Sequence, residues 1–156
     1  MSEHVFHDIC LHITWHTRND QPLLKRDVEQ TAHRFLRRRC AQTKGVFLHA
    51  IGGTETHVHP ALSVEPFVGI SHLVGDLKGA SSREVNRQKR FKALSWQRGF
   101  SVVSFGPKNL PFVVEYIANQ KEHHAKGTAY DRLERTAGEE TAARRRVKHE
   151  KPPENG

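Results

Sequence analysis

Cysteine is scarce, with two residues in a chain of 156. Cys10 and Cys40 fall in different predicted elements. That excludes a disulfide framework and fits two reduced, small core residues of a cytosolic protein. No apolar run approaches the roughly 18 residues that a membrane span requires, so no transmembrane helix is expected. The opening Met1-Ser2-Glu3-His4 lacks a basic and apolar leader, so no secretory signal is expected either. There is no Walker-type phosphate loop and no internal repeat. Apolar residues make up only 36% of the chain, which places part of it outside the core. Acidic residues are outnumbered by basic ones, 17 to 25. The resulting net charge of +8 and pI of about 9.9 favour a polyanionic partner. Histidine is plentiful, with 12 residues, which widens the search for metal sites.

The length suits one domain with a real core. Residues 5 to 16 alternate: Ile9, Leu11, Ile13 and Trp15 share one face, while Cys10, His12, Thr14 and His16 share the other. That is the pattern of a half-buried strand, and Asn19-Asp20-Gln21-Pro22 ends it. From Lys25 to Thr43 the period becomes helical through Val28, Ala32, Phe35, Leu36 and Cys40. Arg34, Arg37, Arg38 and Arg39 gather near that helix's end, as dipole partners or DNA contacts. A strand over Val46 to Ile51, a hairpin turn at Gly52-Gly53-Thr54 and a strand from Thr56 to Glu65 follow. Pro60 cannot donate to a ladder and predicts a bulge, a strand end or a sheet edge. Ser71 is placed to cap a second helix through Ile70, Leu73, Val74 and Leu77, which ends in the basic stretch from Arg83 to Lys92. A strand at Phe100 to Phe105 precedes a third helix, with Pro111 in its first turn and Gly127 as its stop.

The order strand, helix, strand, strand, helix, strand, helix predicts an α+β fold. It is a ferredoxin-like split βαβ antiparallel sheet, with helices on one face and an added C-terminal helix. Residues 1–127 form the predicted domain and residues 128–156 a basic tail that carries Arg144, Arg145, Arg146, Lys148 and Lys151. That tail, with a short helical piece around Tyr130 to Thr136, is expected to add salt-dependent affinity for phosphates.

The chemistry concentrates in two places. In a strand, His57 and His59 point to the same face, and two imidazoles that close can grip one metal ion. In the third helix, Tyr116 and Gln120 stand one turn apart, with His123 and His124 continuing their stripe. That stripe lies about a quarter turn from the apolar one made by Leu110, Val113, Val114, Ile117 and Ala118. The helix could therefore dock by one side and present chemistry from another. Spacing alone also allows a nucleic-acid-binding module on the same sheet, or a hydrolase acting on nucleotide phosphates. The first lacks strand aromatics beside His57 and His59, and the second lacks a third alternating histidine, since position 61 is alanine.

Read together, several stretches resemble the single-tyrosine HUH transposases, the small bacterial insertion-sequence enzymes and their REP-associated relatives. They are Ile9 to Trp15 with Thr17-Arg18 and Pro22-Leu23-Leu24; Thr56-His57-Val58-His59; Leu73 through Arg83; Trp96-Gln97-Arg98-Gly99-Phe100; and Tyr116-Ile117-Ala118-Asn119-Gln120 with His123-His124. The resemblance covers roughly residues 5 to 127. It implies Tyr116 as nucleophile, His57, His59 and Gln120 as metal ligands, Mg²⁺ or Mn²⁺ as cofactor, and single-stranded or hairpin DNA as substrate. It also implies a homodimer in which the tyrosine helix can serve the partner's histidines, and a bacterial cytoplasmic, nucleoid-associated location. The basic residues inside the matching stretches, Arg18, Lys78, Arg83 and Arg98, become candidate DNA contacts. The chain departs from the family at Thr56, where Asp is usual, at Pro60, where an aliphatic residue is usual, and at Phe100, where Tyr is common.

Overall fold

The structure, a computed structural model, describes residues 5–120. The boundary expected at residue 127, the basic tail, His123 and His124 lie outside the described residues. Four strands and three helices follow in the expected order: β1 Ile9–His16, α1 Arg26–Gln42, β2 Val46–Gly53, β3 His57–Val64, α2 Ile70–Lys89, β4 Ser101–Phe105 and α3 Leu110–Ala118. The sheet is antiparallel, in the order β2-β3-β1-β4. This is the predicted ferredoxin-like α+β architecture. No helix among the described residues is long and apolar enough to cross a membrane.

Alternation decides which face of the sheet meets the helices. Leu11, Ile13 and Trp15 of β1 and Val58, Leu62 and Val64 of β3 pack with Leu36 and Cys40 of α1 and Leu73, Val74 and Leu77 of α2. Burying an aliphatic side chain of this size contributes roughly 1.5–3 kcal/mol. The other face, carrying Cys10, His12, Thr14, His57, His59 and Ala61, is left for α3. Both cysteines are free and buried, and burial pushes the Cys40 thiol up to about 11, so it is a packing residue rather than a nucleophile.

Three local expectations change. Gly52 and Gly53 are not the hairpin turn; they are the last residues of β2, paired with His59 and Val58, and the chain reverses over residues 54–56. Ser71 is not a helix cap, because α2 begins one residue before it, with Gly69 at the cap position. Pro60 lies neither at an edge nor at a strand end; it is buried within β3, an interior strand, opposite Ile51. The sheet accommodates it on the other side. Pairing of β1 with β3 runs from Ile9↔Val64 to His12↔Ala61 and resumes at Trp15↔Val58 in the same register. The lapse falls opposite the residue that has no N–H to donate. The bulge lies in the neighbouring strand, between Leu48 and Ala50 of β2.

The arginine cluster of α1 is partly structural. Arg39 donates from Nε and Nη2 to both carboxylate oxygens of Asp76 at 2.9 and 2.8 Å, clamping α1 to α2. The Arg39 hydrogen bond holds the Asp76 carboxyl below its ordinary value. A depressed carboxylate contributes stability above its unfolded pKa, and that contribution vanishes as pH falls through the folded one. Asp76→Asn should therefore be less stable than wild type at pH 7, and the gap should close as pH drops below 3.8. Urea midpoints across that range check it; a gap independent of pH would show the clamp to be electrostatically silent.

Candidate active site

The antiparallel pairing of β1 with β3 gathers four imidazoles into one row on the outer face. His16 is paired with His57, and their rings stack with centroids 4.9 Å apart. His57 and His59 meet edge to face at 4.7 Å. His59 stacks on His12 at 4.9 Å, with the rings 3° from parallel. His59 is fully buried and His57 nearly so. Each predicted ligand is held by its Nδ1. That atom of His57 lies 2.9 Å from the Thr54 hydroxyl and 3.0 Å from the Thr56 hydroxyl. That of His59 lies 3.0 Å from the Thr14 hydroxyl and 3.0 Å from His12 Nε2. At the far end, His16 Nδ1 pairs with the Asp20 carboxylate at 2.6 Å.

Helix α3 crosses this same face, against β2 and β3. Val113 and Ile117 pack on Ala61, with Ala50 and Phe105 at the margin. The crossing is close because Gly52 has no side chain: a Cβ there would sit 2.5 Å from the Ile117 carbonyl oxygen. Tyr116 and Gln120 are both buried. The expectation of two separate stripes is therefore corrected. The buried face of this segment is Val113, Tyr116, Ile117 and Gln120, while Ala118 is exposed. Val113, Tyr116 and Ile117 fall within an arc of about 100° at helical spacing, so the phenol belongs to the docking face itself, and Gln120 is buried beside it. The helix is interrupted after Ala118: Asn119 leaves helical geometry, Gln120 is helical again, and the stop expected at Gly127 lies outside the described residues. Gln120 borders a cleft of about 340 Å³ shared with Glu29, His33 and Gly53.

The four basic candidates separate. Lys78 donates from Nζ to the carbonyls of Gln97 and Gly99 at 2.6 and 2.9 Å, so it fastens the loop before β4. Burial lowers its pKa. Arg18, Arg83 and Arg98 are exposed. Arg18 and Arg98 belong to two segments tied together by Arg18 N–H to Ser95 O and Gln97 N–H to His16 O, at 2.9 and 2.8 Å. That junction adjoins the His16 end of the histidine row. Arg83 stands apart on α2.

Sequence reasoning singled out two of the four imidazoles. His12, Thr14 and His16 were placed on the correct strand face, and that shared face was the signal that could have drawn them in. What it lacked was the pairing partner of β1. Among the described residues, no three His, Cys, Asp or Glu side chains gather as a metal-holding group. A cation beside His57 and His59 would need further ligands from an amide, water or substrate oxygen. Two imidazoles with Nδ1 already engaged suit an open divalent site of that kind.

Residues 5–120 match the family model described as "Transposase IS200 like". The chain belongs to the IS200-like transposase family. No curated protein matches it. Solved structures share the fold of this IS200-like chain, two of them as follows. One, described as a transposase candidate from Deinococcus radiodurans R1, is 23% identical, with a TM-score of 0.60 over 77% of this chain and 96% of its own. The other is a REP-associated tyrosine transposase bound to a REP hairpin, 18% identical, with a TM-score of 0.57 over 83% of this chain and 76% of its own.

Gly52 is outside the positive-φ region, so its requirement is steric. Gly52→Ala should lift α3 from the strands at a cost of about 1–3 kcal/mol, as overpacking does. Hydrogen exchange of amides in residues 112–118 should accelerate while β1 and β3 stay protected. Unchanged protection of α3 would show that the contact does not hold the helix.

Proposed function

We propose that this IS200-like transposase cleaves and rejoins single-stranded DNA, taken as a hairpin, through a covalent bond to Tyr116. The observation that carries the reading is the burial of Tyr116 on α3, and of Gln120 just past it, where α3 packs against β2 and the strand bearing His57 and His59. In this reading His57, His59 and the Gln120 amide oxygen hold Mg²⁺ or Mn²⁺. The cation would supply charge neutralisation at the scissile phosphate and polarise a phosphoryl oxygen.

The remaining work belongs to the chain. A tyrosine hydroxyl, with an ordinary pKa of about 10, is a weak nucleophile that must be positioned. Packing of Val113 and Ile117 on Ala61 fixes the helix backbone beside Tyr116. Attack forms the bond from the Tyr116 oxygen to phosphorus and breaks the bond from phosphorus to the 3′-oxygen. The phenol proton leaves, and the departing oxygen gains one to become a 3′-hydroxyl. The 5′-phosphotyrosine keeps the phosphodiester energy, so a 3′-hydroxyl can reverse the step without ATP. Arg18 and Arg98 supply phosphate contacts at the His16 end. In a homodimer, α3 lying on its own sheet gives each subunit a site built from its own residues. Such an enzyme acts on DNA at the bacterial nucleoid, in the cytoplasm.

A non-catalytic nucleic-acid-binding module is less well supported. Such sheets stack bases on strand aromatics, whereas this face of the two central strands carries His12, Thr14, His57, His59 and Ala61, with no Phe, Tyr or Trp among them. The test uses single-stranded hairpin DNA from the flanks of the protein's own gene, with Mn²⁺. Wild type should yield a protein–DNA adduct by mass spectrometry and Tyr116→Phe none. His57→Ala should lose the adduct by at least 100-fold while still binding the hairpin. An adduct that survives Tyr116→Phe, or none from wild type on any flanking hairpin, would overturn the proposal.

A further inference from the structure

We infer that Thr14, Thr54 and Thr56, together with His12, are positioning residues that hold His57 and His59 in the Nδ1–H form and so turn Nε2 of each ring to the cation. The inference rests on the reading of this histidine pair as a metal site.

The geometry is the same at both rings although the parts come from different places. His57 Nδ1 is bracketed by two hydroxyls of the β2–β3 turn, Thr54 at 2.9 Å and Thr56 at 3.0 Å. His59 Nδ1 is bracketed by two residues of β1, Thr14 Oγ1 at 3.0 Å and His12 Nε2 at 3.0 Å. A neutral imidazole has one N–H and one lone pair, and the hydrogen bond at one nitrogen sets the role of the other. Heavy-atom distances allow either nitrogen to be the donor. A ring that gives its Nε2 lone pair to a cation must carry its hydrogen on Nδ1, and the two bracketing atoms, each with a lone pair, can then share that one hydrogen. Threonine oxygens have the lone pairs, and His12 Nε2 accepts when His12 carries its own hydrogen on Nδ1.

The fold builds both brackets deliberately. Pairing of β1 with β3 lapses opposite Pro60, and the side chains of Thr14 and His12 join the strands there through His59. The turn that brings Thr54 to His57 is closed by Gly53, whose φ of 155° and 2.1 Å approach of a would-be Cβ to the His57 carbonyl exclude a side chain. Thr56 thus has a task beside the histidine pair, as a neutral acceptor. Partners of metal-binding histidines typically change metal affinity about 10–100-fold when removed.

The test has two independent arms. In metal-free, ¹⁵N-histidine-labelled protein at a pH where the rings are neutral, nitrogen shifts should show Nδ1–H at both His57 and His59. Nε2–H at either ring would overturn the inference. In the second arm, Mn²⁺ uptake is followed by electron paramagnetic resonance. Thr14→Val and the double variant Thr54→Val/Thr56→Val should each weaken binding about 10–100-fold. The serine variants at the same positions keep the acceptor and should stay near wild type, which separates hydrogen bonding from packing. Valine variants that bind Mn²⁺ as wild type does would overturn the inference. A wild type with both Nδ1–H forms that takes up no Mn²⁺ would instead overturn the cation reading and leave the brackets standing.

Discussion

The Ile117 carbonyl resting on Gly52 is the contact on which the site depends. It lets α3 lie flat across a sheet face that would otherwise be open. Small residues prepare the bed: Gly52 and Ala50 on β2 and Ala61 on β3. A helix docked this way carries Tyr116 and Gln120 into the interface rather than into solvent. Packing and chemistry share one surface, and a change that loosens one loosens the other.

Beneath the helix, strand pairing performs a second assembly. Two strands distant in sequence each contribute two histidines, and antiparallel register interleaves them into one row. Pro60 weakens the backbone ladder at the centre of that row, and polar side chains span the interruption. The opposite face shows none of this, being filled by the aliphatic core with α1 and α2. Period-two alternation thus gives the sheet two unlike faces, an aliphatic one under α1 and α2 and a histidine-bearing one under α3.

Much of this was legible in the residue pattern. Alternation in β1 and the helical period of α1 and α2 fixed the element order, and with it the ferredoxin-like sheet. The His57–His59 pair was visible because both partners lie on one strand. What stayed hidden depended on neighbours remote in sequence. Gly52 and Gly53 look like a turn locally; their true roles, beneath Ile117 and beside His57, exist only in three dimensions. Tyr116 looked displayed because Leu110 and Ala118 suggested a different apolar face; docking rotated that face toward Tyr116 and Gln120. The hold of Lys78 on the loop carbonyls of Gln97 and Gly99 likewise depended on neighbours that the local pattern does not show. His12 and Thr14 needed the register of β1 against β3 before their link to His59 could be seen.

The central claim is that the phenol on α3 and the imidazole pair on β3 serve one cation within a single subunit. Fluorotyrosine labelling tests this directly, because the chain has two tyrosines and Tyr116→Phe assigns the signal. Bound Mn²⁺ should broaden the Tyr116 fluorine resonance severely, and His57→Ala should restore it. A sharp Tyr116 resonance in protein that has demonstrably bound Mn²⁺ through His57 and His59 would contradict the account.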